Sequence, residues 1–188
     1  MKLPRSRRRA EQVRSIITRD AERYAVLKLV SSLKLPNCWV GAGFVRNAVW
    51  DYRHGYREST PLNDIDVAYF DPSSDASRDQ RLESWLGSAG VTPASFSVKN
   101  QHRMHARNYD EPYSGTLDAI SHWTETCTCV AARLIDGEVD VFAAYGWDDA
   151  FELLVRPRVD TTEARALVLN RASAKRWAEI WPRLRILA

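Results

Sequence analysis

The chain has 188 residues, of which 45% are hydrophobic and 27% charged, and a formal net charge of +3. That is enough chain for one domain with a real core, alone or with a small appendage, and the balance is that of a soluble globular protein. No stretch approaches the ~20 apolar residues needed to span a bilayer, so no membrane partner is expected.

At the N-terminus, Lys2 and Arg5, Arg7, Arg8 and Arg9 lack the apolar run of a secretory signal. Residues 1–10 read as a flexible basic arm, either solvated or in weak contact with nucleic-acid phosphates or acidic lipid. Val13, Ile16, Ile17, Tyr24, Leu27 and Val30 then recur at helical spacing and predict one helix over residues 11–33, ended by Pro36 and Asn37.

A short apolar run, Cys38-Trp39-Val40, leads into Gly41-Ala42-Gly43 and a second helical pattern. Glycines at a strand-to-helix turn let backbone N–H groups approach a phosphate, and the helix dipole adds to this. The alternative is a plain tight turn. A dinucleotide fingerprint would need glycine at position 46, where Arg46 stands.

Asn63-Asp64-Ile65-Asp66-Val67 opens the next strand. Residues two apart in a strand share a face, so Asp64 and Asp66 project together while Ile65 and Val67 face the core. Paired carboxylates suit a hard divalent cation such as Mg²⁺; the alternative is an acidic turn leading into an ordinary strand. Haloacid-dehalogenase-type phosphatases place their DxD after an apolar strand. Here Thr60-Pro61-Leu62-Asn63 precedes it, which weakens that reading.

Further on, a helix is expected over residues 75–88, a strand over 96–100, an irregular stretch over 101–113 and a short helix over 116–123. His102 and His105 are a metal pair or, better, surface or RNA-contacting histidines. Residues 128–135 and 138–143 form a hairpin around Asp136-Gly137, a type I′ turn pair. Asp140 in the return strand needs a partner. It either pairs with Arg133 across the hairpin or joins Asp64 and Asp66 as a third carboxylate. A short helix over 147–154 and a basic final helix over 161–181 complete the chain. Most of the seven tryptophans are expected in core and subdomain contacts. Cys38, Cys127 and Cys129 are odd in number and contain no CxxC pair, which favours free thiols and a cytoplasmic location.

Taken together, Val40-Gly41-Ala42-Gly43-Phe44-Val45-Arg46-Asn47, Asn63-Asp64-Ile65-Asp66-Val67 and Glu138-Val139-Asp140-Val141 resemble the nucleotidyltransferase superfamily that includes DNA polymerase beta and the CCA-adding enzymes. Lys99-Asn100-Gln101-His102-Arg103-Met104-His105, Trp123-Thr124-Glu125-Thr126-Cys127-Thr128, Ala144-Tyr145-Gly146-Trp147-Asp148-Asp149 and Lys175-Arg176-Trp177 carry a closer likeness to a bacterial branch of it. The chain departs from the superfamily in reading Gly41-Ala42 where Gly-Gly or Gly-Ser is usual.

The resemblance implies an α+β fold, a palm-like mixed sheet flanked by helices. The core would span residues 11–156, with residues 157–188 a C-terminal helix packed on it. It implies transfer of a nucleotidyl group from an NTP to a hydroxyl acceptor: a small molecule, an RNA end or a protein. Asp64, Asp66 and Asp140 would be catalytic and hold two Mg²⁺ ions, or Mn²⁺. Gly41, Gly43 and Arg46 would meet the triphosphate, with Lys99 as a second cation. The alternatives are a non-catalytic nucleic-acid or partner-binding module that keeps the fold, or a metal-dependent phosphohydrolase.

Overall fold

Five strands, β1 (Trp39–Gly41), β2 (Asp64–Tyr69), β3 (Ser95–Asn100), β4 (Val130–Ile135) and β5 (Glu138–Ala143), pair in the order β3-β2-β1-β4-β5. The structure is a computed structural model and describes residues 4–108 and 110–188. β2 and β3 are parallel and the other pairs antiparallel, so the sheet is mixed, as expected.

Strand alternation gives the sheet two different faces. On one, Val40, Ile65, Val67, Val98, Val130 and Ala132 are buried in the main core. Four helices cover this face: α1 (Arg5–Arg19), α2 (Ala21–Ser32), α3 (Gly43–His54) and α4 (Ser77–Ser88). The register sets Asp66, Gly41, Ala131 and Phe142 side by side on the other face. After α5 (Met104–Asn108), the short helix α6 (Thr116–Ser121) covers part of that second face, where Ile120 packs with Trp39, Ala68 and Ala131. The β2–β3 side of this face stays open.

The helix expected over residues 11–33 is two helices, broken at Asp20. Its extended backbone lets the carboxylate accept from Arg23 N at 2.9 Å as the N-cap of α2, and aspartate favours caps over helix interiors. Residues 5–10, expected in a flexible arm, are the first turns of α1, while residues 1–3 lie outside the described residues. Arg5 and Arg9 pair with Asp148 and Glu152, the first residue of α7 (Asp148–Phe151) and the residue that follows it. At the hairpin tip, Asp136 and Gly137 have φ of 49° and 82°, the two positive values a type I′ turn requires.

The final helix is also shorter than expected. After β6 (Leu154–Val155), α8 (Thr162–Ala174) ends near Arg176, whose φ of 52° is left-handed; α9 (Trp177–Ile180) follows, and β7 (Arg185–Ile186) pairs with β6. Tryptophans fix this segment to α3. The rings of Trp177 and Trp181 meet Trp50 edge-on at 5.5 and 5.0 Å, and Trp181 Nε1 donates to Asp51 Oδ1 at 2.7 Å. Each such aromatic pair contributes about 1 kcal/mol beyond simple burial. The consequence for the site is that α8 is held where its basic side chains reach β2. Among the described residues, no helix is long and apolar enough to cross a membrane.

Candidate active site on the open face of the sheet

Asp64 and Asp66 project from the open face of β2, and Asp66 stands where two clefts meet. The wider cleft, about 410 Å³, runs over β2 and β3 past Ser97 and Lys99 to Asp110, His122 and Arg158. The narrower one, about 60 Å³, lies between the start of α3, residues 60–64 and the C-terminal segment. Ala42, Asp66 and Arg171 line both. Lys175 Nζ is 4.0 Å from Asp64 Oδ2. The Asp66 carboxyl is pushed up by burial and by the Asp64 charge, while Lys175, Arg46 and Arg171 pull it back only in part. Two carboxylates sharing one site favour a compensating cation.

The glycine turn is held from both sides. Ala42 N donates to Val130 O at 3.0 Å, and Ala42 O accepts from Val45 N at 3.2 Å and Arg46 N at 2.9 Å. Ala42 has φ 52° and ψ −123°, a conformation an L residue rarely adopts, and among the described residues no side chain caps α3. The N-terminus of this 12-residue helix therefore faces the narrow cleft with a favourable dipole for an anion. The two glycines differ. A Cβ on Gly41 would stand 2.6 Å from the Trp123 ring, so the open side of Gly41 is filled by Trp123. A Cβ on Gly43 would meet only ordinary contacts at 3.5 Å and beyond. Gly41 makes room for an indole, which alters the expectation that it makes room for phosphate.

Arg46 is buried, stacked between Trp50 and Trp177 at 4.6 and 4.5 Å, and donates to Thr128 Oγ1 at 2.8 Å and Asn47 Oδ1 at 3.0 Å. Burial lowers its pKa against the attraction of nearby carboxylates that include Glu125 and Asp66. Lys99 lines the wide cleft but is tied to Glu83 at 2.7 Å.

Asp140 is not brought to this site. It lies on the same face as Asp66, but β1 and β4 separate β5 from β2. Three inter-strand steps place it roughly 14 Å away across the sheet. It accepts from Arg133 Nε at 3.1 Å and Nη2 at 3.0 Å, and the Arg133 guanidinium covers the Trp39 ring at 4.0 Å. The cross-hairpin ion pair, one of the two readings of this residue, is the one present. The physical reason is the strand order: a hairpin's return strand is adjacent to its own partner, and nothing in the local sequence says which strand β4 joins.

His102 packs edge-on against Phe70 at 5.4 Å and His105 against Tyr113 at 6.1 Å. Among the described residues, no three His, Cys, Asp or Glu side chains are grouped to hold a metal ion. Cys38, Cys127 and Cys129 are free, and burial pushes each thiol up to about 12. These thiols stay protonated at neutral pH.

Arg171, Lys175, Glu125 and Trp123 also belong to this region. In the sequence the final helix reads as basic, and Lys175, Trp123 and Glu125 fall in motifs that carry the family likeness without a role attached. Arg171 in α8 and Lys175 at its C-cap are four residues apart, a spacing that sets side chains on one face of a helix, and nothing local says which strand that face meets. Glu125 sits just before the Cys127 strand run and gives no signal of being a buried anion.

The donor chemistry can be tested against a divalent ion. Asp64 and Asp66 supply oxygen from one rigid strand, and among the described residues no side-chain donor hydrogen-bonds their carboxylates. Mg²⁺ is commonly held by one or two carboxylates plus substrate phosphates and water, so the pair fits one ion bound with a triphosphate. The three-carboxylate set for two ions does not fit, because Asp140 is elsewhere.

The sequence matches the nucleotidyltransferase family over residues 28–186. No curated protein matches it. The structure is similar to one solved by NMR and described as revealing a CCA-adding enzyme head domain, with TM-score 0.79 and 28% sequence identity, over 94% of this chain and 95% of that one. The fold, the strand-borne carboxylates and the match across most of the chain agree: this chain belongs to the nucleotidyltransferase family.

Proposed function

We propose that the protein transfers a nucleotidyl group from an NTP to a hydroxyl acceptor, with Mg²⁺ or Mn²⁺ held by Asp64 and Asp66. The observation that carries this reading is the position of Asp66 at the junction of the two clefts, beside the uncapped start of α3. The family match and the likeness to a CCA-adding enzyme head domain support the nucleotidyl group as what is moved.

The narrow cleft suits a triphosphate. Arg171, Lys175 and the backbone at Gly43 offer positive charge and N–H donors there, and Gly43 leaves space for close approach. The wide cleft, about 410 Å³, has room for a nucleoside, and an acceptor hydroxyl would approach the α-phosphate past Asp66. When bound, the metal ion supplies charge neutralisation at the phosphates and a lowered pKa for the acceptor hydroxyl. What remains for the chain is positioning and fixed positive charge, the main demands of phosphoryl and nucleotidyl transfer. The pyrophosphate leaving group builds up negative charge, which Lys175 and Arg171 are placed to offset.

The test is a thermal-shift panel of the four NTPs with Mg²⁺ or Mn²⁺. At least one NTP is expected to raise the melting temperature only when the metal is present. The absence of a shift with all four would remove this reading.

A further inference from the structure

We infer that this site works with one divalent ion rather than two, and that Lys175 and Arg171 supply the positive charge a second ion would otherwise bring. The inference rests on the nucleotidyl-transfer reading above and concerns how that site is charged.

The strand register limits which side chains can stand beside Asp66. Two divalent ions held side by side bring four positive charges to a pair of carboxylates, so a second ion beside Asp66 calls for a further anionic donor from a neighbouring strand. The partners of Asp66 on its two sides are Gly41 on β1 and Ser97 on β3. Those of Asp64 and Ala68 on β3 are Ser95 and Lys99. None is a carboxylate. Asp140 is occupied by Arg133 at the far edge, and Asp110, in the wide cleft, faces His122 Nδ1 at 3.5 Å. Among the described residues no three ligating side chains converge.

Cations stand where a second ion would be useful. Lys175 Nζ reaches to 4.0 Å from Asp64 Oδ2, and Arg171 lines both clefts with Asp66. Arg171 is oriented by Glu125, which is fully buried and accepts from Arg171 Nε at 2.7 Å. Among the described residues the terminal nitrogens of Arg171 have no hydrogen-bond partner, so they can face an anion. A guanidinium offers fixed, paired donors for phosphate oxygens, and an ammonium a compact point charge. A second Mg²⁺ on Asp64 Oδ2 would stand close to the Lys175 ammonium, whose like charge opposes it.

The experiment counts ions. Mn²⁺ bound per chain is measured by equilibrium dialysis in the presence of the α,β-methylene analogues of ATP, GTP, CTP and UTP, with Mn²⁺ in excess over nucleotide. One Mn²⁺ per nucleotide-bound chain is expected, and two would overturn the proposal while leaving nucleotidyl transfer standing. Binding of none of the analogues would overturn both. Lys175→Ala is expected to weaken nucleotide affinity about tenfold with the count still one; unchanged affinity would remove Lys175 from the role. Ser97→Asp, which sets a carboxylate beside Asp66, is expected to raise the count to two. A count that stays at one while nucleotide still binds would show that the missing carboxylate is not what limits the site, and would overturn the argument.

Discussion

Arg171 Nε donates to Oε1 of Glu125 at 2.7 Å, and Glu125 is fully buried with its other oxygen unpartnered among the described residues. This bond ties the cationic face of α8 to the segment that leads into β4. It also leaves the protein dependent on Arg171 for more than ligand contact, because a buried carboxylate without its partner is costly.

Arg171→Ala is therefore expected to destabilise the protein by about 3 kcal/mol, since it strands the Glu125 charge. The double variant Glu125→Gln/Arg171→Ala should recover much of that loss, which urea denaturation of both single variants, the double variant and the parent would measure. Additive losses would show that the two side chains are not coupled.

Ala42 holds φ 52° and ψ −123° at the turn into α3. A non-glycine residue in such a region costs of order 1–3 kcal/mol, and glycine returns some of this as chain entropy. Ala42→Gly is expected to raise stability by about 1 kcal/mol. Thermal or denaturant melts read this directly, and a loss of stability would mean the Ala42 methyl packs more usefully than the strain costs.

Much of this site could be read from the sequence, and the reasons differ residue by residue. Asp64 and Asp66 share a face because strand periodicity is local, and the glycine turn falls where a strand gives way to a helix. The Asp136-Gly137 turn was equally local, set by residues that tolerate positive φ. Asp140 illustrates the limit. Its two readings differ only in which strands lie between β5 and β2, and the order β3-β2-β1-β4-β5 is a tertiary fact. The break at Asp20 was hidden by apolar spacing that continues through both helices, although Asp20 is itself a good cap residue. The surroundings of Gly41 were hidden for a similar reason: the ring that fills its open side comes from Trp123, 82 positions later in the chain. Arg171 and Lys175 were visible as charge but not as neighbours of Asp66.

Asp20 predicts a pH dependence. Burial pushes its carboxyl up, but the backbone N–H of Arg23, the Ser59 hydroxyl and the Arg23 guanidinium outweigh this and hold it below 3.8. A group whose folded pKa is depressed stabilises the fold above its unfolded pKa and loses that contribution as pH falls through the folded value. Asp20→Asn keeps a cap acceptor but removes the charge beside the buried Arg23. The stability gap between parent and Asp20→Asn should be full at pH 7 and shrink below about pH 4. Urea titrations at pH 7 and pH 3 would show it; a gap that widens in acid would reverse the assignment.

The most direct measurement of the central claim compares two carboxylates in one assay. Melting temperatures of the parent, Asp66→Asn and Asp140→Asn are taken with and without Mg²⁺ plus each of the four NTPs. The account predicts a metal-dependent shift in the parent, its loss in Asp66→Asn, and its retention in Asp140→Asn, whose side chain serves the Arg133 pair. A shift that survives in Asp66→Asn and disappears in Asp140→Asn would contradict it.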